Sequence, residues 1–230
     1  LDDPSLFESP KDILNGTQWG TPSSPLKVGK ICNIDVVLLA RHGREHTIPP
    51  SQVNYRANIQ ALKDVGCTNI LATTAVGSLR EDIARGDLVI LDQFIDFTKH
   101  RKSSFHESFK AHQPIHTPMS DPFDQGMRKI LSDICTQQDI KHHKSGTVVT
   151  IEGPRFSTRA ESNMFRMLGA DIINMSISTE VALANELGIP YAAVAMSTDY
   201  DCWKEDEHPV SWEEILEVFS SNASKVTKLL

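Results

Sequence analysis

Short apolar runs alternate with segments of helical period along the 230 residues of this chain. Runs such as 35–40, 146–153 and 190–199 have the length and the β-branched content of strands, and the amphipathic segments between them are long enough for helices. Strands that alternate with helices form a sheet that the helices cover. The sequence therefore predicts an α/β fold. Without an internal repeat or a linker, 230 residues also predict a single domain.

Composition and charge exclude several classes of protein. The 23 Lys and Arg against 30 Asp and Glu give a net charge of −7 with no basic block, which predicts no nucleic-acid partner. No apolar run reaches the roughly 20 residues of a membrane-spanning helix, so we expect no membrane association. The charged start has no signal-peptide core, and the cysteines are isolated from one another. Both features predict a cytoplasmic location, or a nuclear one in a eukaryote. No His or Cys spacing indicates a metal site.

Polar side chains follow two of the predicted strands. Arg41 and His42 come after strand 35–40, and Thr74 and Ala75 lie among small residues at the end of the next strand. If those strands are neighbours, a guanidinium, a hydroxyl and backbone N–H groups would converge on one oxyanion. A surface ion pair at Arg41 and a helix cap at Thr74 or Ser78 are the alternatives.

Two further strand ends carry residues suited to a nucleoside. Phe156 lies in a rigid Gly153-Pro154 turn, where an aromatic ring can stack on a planar ligand. A core phenylalanine beside an Arg–Glu ion pair is the alternative. Met175 could place its thioether beside a sugar ring or fill the core.

Asp199 ends the apolar run 190–199, and Asp201 lies two residues further on. In an extended chain, residues i and i+2 face the same way, so both carboxylates can address one ligand edge. A protonated carboxyl can donate to a ring nitrogen, and an ionised one accepts from an amine. The alternative is an acidic loop before the last helix.

Four local features complete the sequence-based expectations. Segment 87–98 predicts one long strand able to bend or bulge, and 99–121 predicts an excursion loop of the kind that is often functional. Ser51 predicts the start of a helix that ends at Gly66. His142 and His143 predict a solvated loop.

Five motifs, in this order, resemble those of the methylthioadenosine phosphorylases within the trimeric purine nucleoside phosphorylase family. They are LLARHGREHTIPPSQVNYRANIQAL, TTAVGSLRED, TIEGPRFSTRAES, INMS and AMSTDYDCW. The resemblance spans residues 2–230. It implies a single α/β domain with a twisted mixed sheet, a barrel-like portion and surrounding helices. It also implies a homotrimer with sites near subunit interfaces, and a chain that lacks the family's amino-terminal glycine-rich strand and carboxyl-terminal end.

The resemblance implies an enzyme, a pentosyltransferase of purine and methionine salvage. It would split 5′-methylthioadenosine into adenine and 5-methylthioribose 1-phosphate, with inorganic phosphate as co-substrate and no cofactor. The alternatives are a 6-oxopurine nucleoside or methylthioinosine phosphorylase, a hydrolytic nucleosidase, and a catalytically inactive nucleoside-binding homologue.

The resemblance also assigns roles to individual residues. Asp199 would be the acid at purine N7, and Asp201 would help hold the 6-amino group; two acids favour adenine over 6-oxopurines. Trp212 is larger than the aliphatic residue expected at its position. The phosphate contacts fall on Arg41, His42, Thr74, Ala75 and Ser176; the base contacts on Phe156 and Ser157; the ribose contact on Met175; the 5′-substituent pocket on His46, Trp212 and Ile215; and a contact from the adjacent subunit on His116.

Overall fold

The structure is a computed structural model that describes residues 7–14, 16–205 and 218. Its strands are β1 (Glu8–Ile13), β2 (Leu26–Ile31), β3 (Ile34–Leu38), β4 (Ile70–Ser78), β5 (Leu88–Ile90), β6 (Gln93–Phe97), β7 (His142–His143), β8 (Thr147–Ile151), β9 (Ile172–Asn174) and β10 (Tyr191–Asp199). Its helices are α1 (Tyr55–Asp64), α2 (Gln125–Gln137), α3 (Arg159–Met167) and α4 (Ile177–Glu186). The alternation of strands and helices confirms the α/β expectation.

Seven of the strands form one mixed sheet in the order β6-β8-β9-β4-β10-β5-β7. Strands β4 and β10 pair in parallel over nearly their whole lengths and form its centre. Strands β5 and β6 belong to opposite parts of this order, although only Leu91 and Asp92 separate them in sequence. A connection this short draws the two parts of the sheet together. The sheet is therefore curled, which confirms the expected barrel-like portion.

The same connection corrects the expectation for segment 87–98. It is two strands, not one, because the chain turns at Leu91 and Asp92 and each half pairs with a different neighbour: β5 with β10, and β6 with β8. His142 and His143 also differ from expectation. They form the short strand β7 beside β5, and the His143 ring meets the buried Asp87 carboxylate at 3.0 Å.

Local capping chemistry sets the helix starts. Asn54, not Ser51, caps α1, because the Asn54 side chain accepts a hydrogen bond from the Ala57 N–H and residues 50–52 form a separate 3₁₀ turn. Thr158 and Glu161 form a reciprocal capping box at α3. Helices α1 and α4 then pack apolar faces against the sheet in the largest buried cluster.

Strands β1, β2 and β3 form a separate antiparallel sheet. Strand β3 was expected to be buried. Within the described residues it pairs with β2 alone, so Ile34 and Asp35 are exposed and the rest of it is half-buried. A second cavity, of about 910 Å³, lies between β3, α1 and β4. On the edge of β4 that faces away from β10, the described residues pair only at Gly77 and Ser78, with β9.

Residues 98–124 form neither a helix nor a strand, which confirms the excursion loop. Within the part of the chain that the structure describes, no helix has the length and apolar character needed to cross a bilayer. The same residues contain no group of three His, Cys, Asp or Glu side chains placed to hold a metal ion. All four cysteines are free thiols. The cytoplasmic location stays a prediction.

Candidate active site

One cavity of about 670 Å³ opens where the turn after β3 meets the ends of β4, β8, β9 and β10. His116 is not among its lining residues, and Trp212 and Ile215 lie outside the described residues. Every other residue assigned to the site by sequence lines this cavity; these are Arg41, His42, His46, Thr74, Ala75, Phe156, Ser157, Met175, Ser176, Asp199 and Asp201. Their roles stay predictions, although the fold brings them together from five separate segments.

Arg41 is held by a buried carboxylate beside the cavity. Its Nε and Nη2 donate to the two oxygens of Glu180 at 2.6 and 2.9 Å, and its Nη1 donates to the Thr73 carbonyl at 2.9 Å. The Tyr191 hydroxyl donates to the same carboxylate at 2.7 Å. Burial disfavours the Glu180 charge, but Arg41 outweighs burial and holds the pKa of Glu180 below its ordinary value. Arg41 therefore makes an ion pair, as the alternative had it, but a buried one with further N–H groups available to a ligand.

The His42 ring is oriented by the backbone. Its Nδ1 lies 2.9 Å from the Ile48 carbonyl, which can only accept, so Nδ1 carries a proton. The ring stacks on His46 with 4.7 Å between centroids. Burial lowers the pKa of His42, and the nearby Arg41 charge lowers it further. His42 is therefore favoured as a neutral imidazole whose Nε2 can accept a proton or a hydrogen bond.

A chain of buried polar side chains fixes the middle of β4, which runs on to Ser78 and does not end at Thr74 and Ala75 as expected. Thr150 donates to Asn174 Oδ1 at 2.8 Å, and Asn174 Nδ2 donates to Thr74 Oγ1 at 3.2 Å. Thr74 and Ser78 both lie in β4, so the helix-cap alternative is wrong for them. Ser176 instead is the N-cap of α4, and its side chain makes no capping hydrogen bond. Ser176 itself lines the cavity, with its hydroxyl free of capping, while the Ser178 N–H donates to Thr150 at 3.1 Å.

The carboxylate pair lies where β10 ends, and it is buried rather than part of a solvated acidic loop. Asp199 Oδ1 accepts from the Asp201 N–H at 2.7 Å. The single Thr198 hydroxyl lies 2.7 Å from Asp199 Oδ2 and 3.1 Å from the Val76 carbonyl, and its one proton can serve only one of them. Gly77 makes room for the pair, since a Cβ there would lie 3.0 Å from Asp199 Oδ1.

Asp201 has a raised pKa and a carboxylate oxygen that is open to a ligand. Burial raises the pKa of Asp201 to about 6, and the Asp199 charge contributes. Its Oδ2 is buried, as is the Ser157 hydroxyl, and within the described residues neither makes a hydrogen bond of good geometry, although the Ser162 hydroxyl is near enough to offset part of the rise in the pKa of Asp201. Unpartnered buried polar atoms are costly, so both are suited to meet polar edges of a ligand.

The Gly153-Pro154 turn carries Phe156 to the cavity and leaves room beside it for Met175, which follows β9. Phe156 is 55% exposed, so it is not the core phenylalanine of the alternative, and the charged pair of the turn does not form either, since Arg155 pairs with Glu161 and Glu152 with Arg101. Gly153 has φ +62°, and a Cβ there would lie 2.5 Å from the Met175 sulfur. This glycine therefore permits Met175 to line the cavity rather than fill the core.

Comparison with known proteins agrees with this geometry. The sequence profile of the Phosphorylase superfamily matches residues 4–230. The S-methyl-5′-thioadenosine phosphorylase of Xenopus tropicalis is 54% identical over 233 residues, which cover 100% of this chain and 83% of that protein. The enzyme of the same name from Danio rerio is 52% identical, with the same coverage. The chain belongs to the methylthioadenosine phosphorylase family of this superfamily.

Solved structures place this phosphorylase in the same fold. A variant of the adenosine/methylthioadenosine phosphorylase of Schistosoma mansoni, solved with adenine, superposes with a TM-score of 0.92 at 42% identity and covers 98% of this chain and 86% of that one. Another variant of that enzyme, solved with methylthioadenosine, gives 0.91 at 41% identity, with 99% and 85% covered. These likenesses confirm the fold expected from the motifs.

Sequence reasoning missed the residues that hold the phosphorylase site from behind. Glu180 and Tyr191 are buried behind Arg41, with Tyr191 reaching it through Glu180, and neither was singled out; nor was Thr198, which lines the cavity beside Asp199. Glu180 carried a signal, since it is an acid in the first turn of a helix and directly precedes the apolar run Val181–Ala184. Its partner could not be found from spacing, because 139 residues separate it from Arg41.

Proposed function

We propose that this protein cleaves 5′-methylthioadenosine with inorganic phosphate, releasing adenine and 5-methylthioribose 1-phosphate, in purine and methionine salvage. The observation that carries the proposal is one cavity that joins an anion-binding side, built on Arg41, Thr74 and Ser176, to the carboxylate pair Asp199 and Asp201. The family to which the chain belongs supports it. No cofactor takes part, and phosphate is the co-substrate.

The reaction needs both sides of the cavity. A phosphate oxygen bonds to C1′ as the C1′–N9 bond breaks, and the bonding electrons leave with the purine. Positive charge develops on the ribose and negative charge on the base, so the reaction is favoured by an anion beside C1′ and an acid at N7. Arg41 and nearby N–H groups hold the phosphate, and because Glu180 fixes Arg41 in advance, little ordering is needed when phosphate binds.

Asp199 and Asp201 together supply the proton. Two adjacent buried carboxylates do not both ionise readily, so the pair keeps one proton up to about pH 6, consistent with the raised pKa of Asp201. When Thr198 donates to the Val76 carbonyl, its oxygen can accept from a protonated Asp199. The family resemblance assigns the acid at N7 to Asp199, next to the Asp201 carboxyl whose pKa the fold raises. Asp201 and Ser157, with their unpartnered oxygens, address the amino edge of the base.

The remaining contacts follow the nucleoside. Phe156 packs on the purine and Met175 on the ribose, while His42 lies beside the phosphate and His46 near the 5′ substituent. The contributions of Trp212 and Ile215 to the methylthio pocket stay predictions.

We also propose a homotrimer in which His116 contributes to a neighbour's site. His116 lies on the exposed part of the excursion loop, outside its own cavity, with its ring 5.7 Å from that of Phe109. Phe109 and Ile115 expose 48% and 52% of their surfaces on the same loop, which is apolar area that a second subunit could cover. Sedimentation tests the trimer, and a well-folded, fully active monomer would contradict it.

The test of the function is incubation with methylthioadenosine, with and without phosphate, while adenine and the sugar phosphate are quantified. We expect adenine only when phosphate is present. Adenine released equally without phosphate would indicate a hydrolytic nucleosidase. Calorimetric binding without turnover would indicate an inactive binding homologue, and a preference for methylthioinosine would indicate a 6-oxopurine enzyme.

A further inference from the structure

The root of the excursion loop is tied to the cavity wall through one buried guanidinium. The Arg101 side chain is only 2% exposed. Its Nε donates to Glu152 Oε1 at 3.2 Å, and its Nη2 donates to the backbone carbonyls of Glu152 and Ile151 at 2.7 and 3.3 Å. Its Nη1 donates to the Tyr55 hydroxyl at 3.0 Å. Every nitrogen of this guanidinium is therefore used inside the protein.

The partners of Arg101 connect to the nucleoside side of the cavity. The Tyr55 hydroxyl lies 3.1 Å from the Pro50 carbonyl and 3.3 Å from the Met175 carbonyl. Pro50, Met175 and Ile151 all line the cavity. Glu152 directly precedes the turn that carries Phe156. One side chain thus braces both the segment of Met175 and the start of the Phe156 turn.

The same cluster holds the first residues of the loop. The second oxygen of Glu152 accepts from the backbone N–H groups of Lys99 and His100. None of these hydrogen bonds involves Arg41, Glu180 or Thr74, which form the phosphate side. Loop root and nucleoside wall therefore form one hydrogen-bonded unit, which reaches the anion side through the peptide between Met175 and Ser176.

We propose that Arg101 is a positioning residue for the nucleoside. It acts through Tyr55 and Glu152 to set Met175 and the Phe156 turn, and it does not touch substrate. This inference rests on the proposed function of the cavity. It predicts that loss of the Arg101 fork weakens binding of the nucleoside and leaves binding of phosphate nearly unchanged.

The test is Arg101→Lys. Lysine keeps the charge, but as a point donor it cannot span Tyr55 and the two carbonyls together. We expect the KM for methylthioadenosine and the calorimetric Kd for adenine to rise about tenfold, since small misplacements of contacting groups have large effects, with the KM for phosphate changed by less than about twofold. Tyr55→Phe should shift the same two constants in the same direction by a smaller factor. The double variant should show less than the product of the two effects.

Arg80→Lys is the matched control. All three guanidinium nitrogens of Arg80 also donate hydrogen bonds inside the fold, to Asp171 at 3.0 Å and to the Arg166 carbonyl at 3.3 Å, but Arg80 does not line the cavity. It should lower the unfolding midpoint and leave both KM values unchanged. Equal rises in both KM values for Arg101→Lys, or the same pattern in Arg80→Lys, would show that Arg101 is only structural. Wild-type protein that binds adenine but does not turn over methylthioadenosine with phosphate would refute the proposed function, and the adenine affinities would still test Arg101.

Discussion

Asp201→Asn should make the protein more stable at neutral pH. The fold raises the pKa of this carboxyl from 3.8 to about 6, chiefly by burial. A group with a raised acid pKa binds its proton more tightly in the folded state than in the unfolded one. The folded state is therefore destabilised as the pH rises from about 4 to 6, and the penalty persists above that range.

The size of the penalty follows from the shift. Each unit of pKa difference corresponds to 1.36 kcal/mol, so a shift of about two units amounts to about 3 kcal/mol at pH 8. At pH 5 both states are partly protonated, and the penalty is about half as large. Asparagine has the shape of the neutral acid and carries no charge. It also tolerates the left-handed backbone at this position, where φ is +50°.

Urea unfolding of the wild type and the variant, followed by circular dichroism, measures the effect. We expect Asp201→Asn to be more stable by about 3 kcal/mol at pH 8 and by about half of that at pH 5. Asp82→Asn, at an exposed aspartate, controls for the loss of one negative charge. A variant that is no more stable than wild type at pH 8, or a gain that does not grow between pH 5 and pH 8, would refute the reasoning.

Three further predictions concern activity. Arg41→Lys should raise the KM for phosphate about tenfold and that for the nucleoside little, since Lys loses the fork but keeps a charge beside Glu180; equal effects in steady-state kinetics would contradict the anion assignment. Arg41→Ala is the poorer test, because it leaves Glu180 buried without its charge partner. Gly77→Ala should lower kcat/KM about tenfold, because its Cβ would lie 3.0 Å from the Asp199 carboxylate and displace it. Unchanged kinetics would show that the position of the carboxylate pair does not limit the reaction. Asp199→Asn should reduce turnover of methylthioadenosine by roughly 10²- to 10⁴-fold and that of methylthioinosine much less; parallel losses would mean that the carboxylates are structural.

The strands and helices of this protein were largely readable from local sequence. Apolar runs became β8 and β10 because strands buried on both faces need continuous apolar residues, whereas β4 alternates buried and half-buried positions. Two boundaries were predicted wrongly. Asn54 rather than Ser51 capped α1, and the strand expected at 87–98 divided at Leu91 and Asp92 because its halves pair with different neighbours.

The sequence by itself also determined most of the lining of the site, because ligand-binding residues gather at strand ends, and strand ends can be recognised where apolar runs stop. Only the tertiary structure decided what stands behind those residues. Glu180 lies 139 positions from Arg41, and Arg101 lies 46 from Tyr55, so no local pattern links them. The raised pKa of Asp201 is likewise a property of burial, which exists only once the chain has folded.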